Sequence, residues 1–176
     1  EVGEIARRYA AMNAFDGILT IMGVLMGSYT AHVMDPRIVI STGLATAVAV
    51  GVSGLWGAYL TETAERKRSL DELEHSTLSD LSHTRLGRAS RVAVIIVALV
   101  DGLAPFLAAL VVLTPFLLYE AVPLLPSPKE LYYLSLGTAL GALFAVGMFV
   151  GRISKDRLLV AGAKTIGAGL TCMAIN

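Results

Sequence analysis

Long apolar runs alternate with short polar ones along the whole chain. Runs rich in Ala, Val, Leu, Ile and Gly cover residues 12–31, 38–60, 92–118, 131–151 and 158–175. A helix crossing a bilayer needs ~20 mostly apolar residues, and each run is close to that length. A backbone in lipid must satisfy its own hydrogen bonds, so runs this long predict helices rather than barrel strands. The expected fold class is therefore all-α, a polytopic membrane protein with five transmembrane helices and a short cytoplasmic helical insert between spans two and three. Residues 1–61 hold the first two spans, 62–90 form an amphipathic helical segment, and 91–176 hold the last three spans. Turn chemistry falls at the breaks: His32-Val33-Met34-Asp35-Pro36 after the first span, and a proline-rich stretch over 123–128.

Composition agrees with a membrane setting. Of 176 residues 55% are hydrophobic and 16% charged, against about 25% charged in a soluble domain. The net charge of zero gives no reason to expect nucleic acid as a partner. The single cysteine, Cys172, lies in an apolar stretch, which excludes a disulfide framework or a thiolate cluster within the chain. No cleavable signal peptide is expected, because the first apolar run carries Asp16 and no clear cleavage site follows. Arg7, Arg8, Arg66, Lys67, Arg68, Arg85, Arg88, Arg91, Arg152, Lys155 and Arg157 fall at one set of span ends, and only Arg37 and Lys129 at the other. The positive-inside rule then places the N-terminus in the cytoplasm and the C-terminus outside. A prokaryotic plasma membrane is the simplest home.

Charges within the spans are few, and each needs a reason. A charged group at the bilayer centre costs ~2.5–3.5 kcal/mol on insertion scales, so it calls for a partner, a cation or water. Asp101 stands about ten residues into the third run and Asp16 about one turn into the first. Lys164, in the fifth, is the only base within a run. Asp101 and Lys164 are candidates for a structural ion pair. Alternatively, one or both aspartates bind a cation or carry a proton. The two aspartates also sit in similar settings. The stretch from Asn13 to Thr20 can be laid over that from Ala98 to Pro105, each with Asp-Gly at its centre, as in a parallel repeat of two helical hairpins. Transporter sites often lie at such repeat interfaces. Pro105 frees a carbonyl one turn back, for a site or for a kink.

Other features read two ways. Gly23/Gly27, Gly137/Gly141 and Gly147/Gly151 recur at four-residue spacing, with Gly51, Gly54 and Gly57 in the second run, a pattern that lets helices approach closely. Met22 and Met26 share a face at i,i+4; a thioether suits some transition metals, but methionine also packs well. In the polar segment Glu62 and Glu65 are three apart, and Glu72 and His75 form a Glu-x-x-His pair beside Asp71 and Glu74. Such carboxylates and imidazoles are ligand types of di-iron bundles and suit Fe(II), Mn(II) or Zn(II). The same spacing also fits a solvated helix braced by pairs such as Glu62–Arg66. His32 and His83 have no comparable partners and read as loop histidines.

Together these features resemble the vacuolar iron transporter family of Fe(II)/Mn(II) transporters. Asp16-Gly17-Ile18-Leu19-Thr20 is similar to the Asp-Gly-Leu motif of that family's first span. Ser53-Gly54-Leu55-Trp56-Gly57-Ala58-Tyr59-Leu60, followed by Thr61-Glu62-Thr63-Ala64-Glu65, is similar to the end of its second span and the glutamates beyond. The glycine-rich fourth and fifth spans also fit, through Gly147 to Gly151 and Gly162 to Gly169. The resemblance implies a homodimer with an ion path between spans of the two protomers, and exchange of metal against protons. It also implies Asp16 as a transport ligand, with Glu62 and Glu65 as part of an acidic region that gathers metal. Two departures stand out. The family's second-span methionine falls at Gly54, leaving Met22 or Met26 as substitutes, and the polar segment is short and lacks methionines. Asp101 lies outside the family pattern.

The expected function is a proton-coupled divalent metal transporter, with Asp16, Asp101, Met22, Met26 and Lys164 along the path and Asp16, Glu62, Glu65, Glu72 and His75 as metal ligands. Fe(II) or Mn(II) is the expected cargo, with Zn(II) and Co(II) as further candidates, and no permanently bound cofactor is expected. The partners are the lipid bilayer, the metal ion, protons and a second copy of the chain. A membrane scaffold or partner subunit with structural aspartates is the alternative. An enzyme is not expected, since the spans hold no Ser/His or His-Glu-x-x-His arrangement and no phosphate-binding Gly-Lys-Ser/Thr loop is present.

Overall fold

The computed structural model describes residues 2–77, 84–121 and 127–175; His83 and most of the 123–128 break lie outside these. Among the described residues there are five helices and no strand: α1 (Val2–Thr30), α2 (Pro36–Thr77), α3 (Arg85–Ala121), α4 (Pro128–Ser154) and α5 (Leu158–Ile175). All five are long and apolar enough to cross a membrane, as the hydropathy pattern predicts.

The helices outrun the apolar runs at their polar ends. α1 starts at Val2 rather than near residue 12, so Asp16 stands near the middle of its helix instead of one turn in. α2 continues past Leu60 to Thr77 without a break, because nothing between Leu60 and Thr77 is Gly or Pro. At 1.5 Å per residue its 42 residues extend ~63 Å, about twice the ~30 Å hydrocarbon core. The polar segment after Leu60 is thus a rigid extension of the second span as far as Thr77. The start of α3 runs beside it, with Gly87, Ser90, Arg91, Val94 and Ile95 facing Tyr59, Thr63, Arg66, Leu70 and Glu74 across a cleft.

Local chemistry sets the turns. His32 takes a left-handed conformation (φ 56°) after α1, and the Asp35 carboxylate accepts the Arg37 N–H at 2.9 Å to start α2 behind Pro36. Glu130 accepts the Ser127 N–H at 2.8 Å at the start of α4, with Pro128 in the first turn, as expected of a capped helix start. Lys155 (φ 57°) closes α4.

The core lies between α1, α3 and α4. Ile18, Ile21, Met22 and Leu25 form an i, i+3, i+4, i+7 stripe on α1 and meet Val112, Leu113 and Phe116 of α3 and Tyr132, Leu136, Ala139 and Leu143 of α4. Tyr132 stacks edge-on against Phe116 and donates to the Val33 carbonyl at 2.7 Å. α2 flanks α3, and α5 flanks α4. Both flanking helices leave much apolar surface open, including Val52, Trp56 and Leu60 on α2 and Leu159 and Leu170 on α5. Arg37 and Glu120 join the start of α2 to the end of α3 at 3.0 Å.

Candidate metal site

Close contacts at two helix crossings, α1 on α3 and α2 on α3, create the site. At Gly17 the bare face of α1 lies against the backbone of Pro105 on α3; a Cβ there would stand 2.7 Å from the Pro105 Cα. Gly54 of α2 faces the main chain of Asp101, whose carbonyl oxygen would be 2.8 Å from a Cβ. Gly102 faces Gly51 and Leu55 of α2. In lipid, packing of this kind is a main source of helix association. It also means that the glycine after each aspartate, Gly17 and Gly102, seats that aspartate beside a helix crossing.

Between these crossings lies an open cavity of about 540 Å³, bounded by α1, α2 and α3. Asp16, Glu62 and Asp101 all line it, together with Asn13, Ser53, Gly54, Gly57 and Thr61. Asp101 falls on the buried stripe of α3 that includes Val97, Ala98, Pro105 and Ala109, and is only 8% exposed. The side-chain amide of Asn13 donates to Asp101 Oδ1 and also to the Tyr9 carbonyl. Asp16 and Glu62 are the other acidic groups whose charges act on Asp101. Asp16 itself is exposed on the single chain. Glu62 is held by Arg66 at 3.1 Å. The three carboxylates share the cavity without closing on one point: among the described residues no three His, Cys, Asp or Glu side chains are placed to hold an ion by themselves.

The remaining candidates lie elsewhere. Lys164 does not pair with Asp101; it is exposed on α5, in a separate cleft of about 520 Å³ with Gly147, Asp156 and Thr165. The reason is topological, since α5 packs on α4 and touches α1, away from the Asp101 stretch of α3. Met22 is fully buried in the core and Met26 packs against that core; neither lines the cavity. On the α2 extension Glu72 pairs with Arg68 at 3.1 Å, both largely exposed, while Glu65 and His75 are exposed. Asp71, Glu72 and His75 share a shallow surface cleft with Lys67 and Arg68, the arrangement of a solvated, charge-paired helix. Asn13 was legible as a polar amide in an apolar span, three residues before Asp16, but spacing alone does not show that it meets α3.

Residues 8–86 match the VIT family. This family is one of membrane metal-ion transporters, so the resemblance drawn from Asp16, the second-span motif and the glutamates is borne out over that segment. The VIT match covers α1, α2 and the first residues of α3; Asp101 lies beyond it. Over almost its full length the chain is also similar to an uncharacterized protein of Methanocaldococcus jannaschii, 28% identical over 171 residues that make up 96% of this chain and 85% of that relative.

Proposed function

We propose that the protein carries a divalent metal ion, Fe(II) or Mn(II), across the bilayer in exchange for protons, acting as a homodimer with its N-terminus in the cytoplasm. The observation that carries this reading is the cavity that Asp16, Glu62 and Asp101 line from three helices, within a chain of which residues 8–86 match a metal-transporter family. An apolar span has little reason to hold Asp16 and Asp101 unless a cation neutralises them. A volume of about 540 Å³ is large beside the ~30 Å³ share of one water, so a partly hydrated cation fits.

The roles follow from position. Glu62, where α2 leaves the apolar region, meets an ion arriving from the cytoplasmic side. Asp16 and Asp101 receive it deeper along α1 and α3 as carboxylates and release it when protons replace it. Asn13 holds Asp101 in place. A second protomer supports the same reading: Asp16 is exposed, the cavity is open, and the neighbouring face of α2 leaves Val52 and Trp56 each 61% exposed. A partner copy set against this face would cover Asp16 and complete a ligand set that one chain does not close.

The test is Fe(II) and Mn(II) uptake into proteoliposomes with an imposed pH gradient, comparing the native protein with Asp16→Asn. Uptake that needs the gradient and disappears in the variant supports exchange through Asp16. A folded protein that moves neither ion defeats the proposal.

A further inference from the structure

The donor atoms of the cavity narrow the class of cation it takes, if it is the metal site proposed above. Asn13, Asp16, Ser53, Thr61, Glu62 and Asp101 bring polar side chains to it, and all present oxygen. The Asn13 nitrogen is committed to the Tyr9 carbonyl and to Asp101 Oδ1, which leaves its carbonyl oxygen as a donor to a cation. Asp101 is more than nine-tenths buried. Its Oδ1 takes the Asn13 amide, no hydrogen bond to Oδ2 is found among the described residues, and the residue lines the cavity. Pro105 has no N–H to give the Asp101 carbonyl, so that oxygen keeps acceptor capacity beside Gly54.

At positions 22 and 54 the packing keeps soft donors out of the cavity. No methionine, cysteine or histidine is among the described residues lining the cavity. Met22 is spent in the core, where it reaches toward Gly169. At position 54 a side chain has no room, because a Cβ would lie 2.8 Å from the Asp101 carbonyl oxygen, a main-chain atom that cannot swing away. The backbone of α3 therefore occupies the space that a sulfur-bearing side chain at position 54 would need.

Carboxylate, carbonyl and water ligands suit hard cations, whereas thioethers favour soft ones. We infer that this cavity is an all-oxygen seat that takes a hard divalent cation such as Mn(II) and gives no advantage to a soft one such as Cd(II). The inference rests on the transport reading, but it has its own test. Gly57 lines the cavity, and a Cβ there meets nothing within 4 Å, so Gly57→Met adds a thioether without a clash at its Cβ. Ser53→Met, at another exposed lining position, serves as a second variant if the first does not fold.

Mn(II) binding and its competition by Cd(II) are measured on the whole protein in lipid nanodiscs, for the native chain, the methionine variant and Asp16→Asn. The native protein is expected to bind the two ions within about tenfold of each other, and the added thioether to raise the Cd(II)-to-Mn(II) affinity ratio by about tenfold or more. Strong native preference for Cd(II), with no change in the methionine variant, overturns the all-oxygen seat while leaving metal binding at Asp16 intact. Loss of both ions in Asp16→Asn with a Cd(II)-selective native protein has the same meaning. A native protein that binds neither ion overturns the transport reading and this inference together.

Discussion

Gly17→Ala probes the crossing that sets Asp16 opposite Asp101. The new Cβ would lie 2.7 Å from the Pro105 Cα and 2.9 Å from its carbonyl carbon, both main-chain atoms. Restoring ordinary contact of ~3.5–4.0 Å requires α1 and α3 to part by about 1 Å. Overpacking of this kind costs about 1–3 kcal/mol. Alanine also favours helix over glycine by about 1 kcal/mol, so the clash is isolated by a control on the same helix. Gly23→Ala is that control, since a Cβ there meets nothing within 4 Å. The expected difference between the two variants is about 1–3 kcal/mol, or roughly 2–12 °C in Tm for a chain of this length. The assay is thermal unfolding in nanodiscs, followed by the reaction of a thiol-specific dye with Cys172, the single cysteine, which is partly buried on α5. Equal unfolding temperatures for Gly17→Ala and Gly23→Ala would refute the close approach of α1 and α3.

Asn13→Ala removes the one side-chain donor to the buried Asp101 carboxylate found among the described residues, and hydrogen bonds to charged groups are worth about 1.5–3 kcal/mol; unfolding measurements should show a loss of that order. Lys164→Gln is expected to change stability by no more than about 0.5 kcal/mol. Combined with Asp101→Asn it should be additive within about 0.5 kcal/mol, and a larger coupling in that double-mutant cycle would restore the Asp101–Lys164 pair. Met22→Leu, a nearly volume-conserving change in the core, should cost less than about 1.5 kcal/mol and leave Mn(II) binding unchanged; loss of binding in a stable variant would make the Met22 thioether a ligand.

The five spans and the individual acids were legible because apolar length and isolated charges are local properties of a chain. The helix ends were not. Arg7 and Arg8 extend α1, and Arg66 to Glu74 extend α2, since solvated polar residues continue a helix that hydropathy reads as ended. Asp16, Glu62 and Asp101 could each be singled out, but their meeting depends on the bare faces of Gly17, Gly54 and Gly102. Those glycines carry the same sequence signal as Gly23 or Gly137, beside which there is open space. The Asp101–Lys164 pair failed for the related reason that the position of α5 follows from Gly147 and Gly162, which bring it onto α4. Met22 shows the limit of residue type as a guide, because the stripe of Ile18, Ile21 and Leu25 decides that it packs.

The most direct measurement of the central claim is the anomalous difference density of Mn(II) in crystals of the protein. The account predicts a peak in the cavity bounded by Asp16, Glu62 and Asp101, absent in Asp16→Asn. A peak confined to the Glu72–His75 face of α2, or no ordered Mn(II) at all, would contradict it.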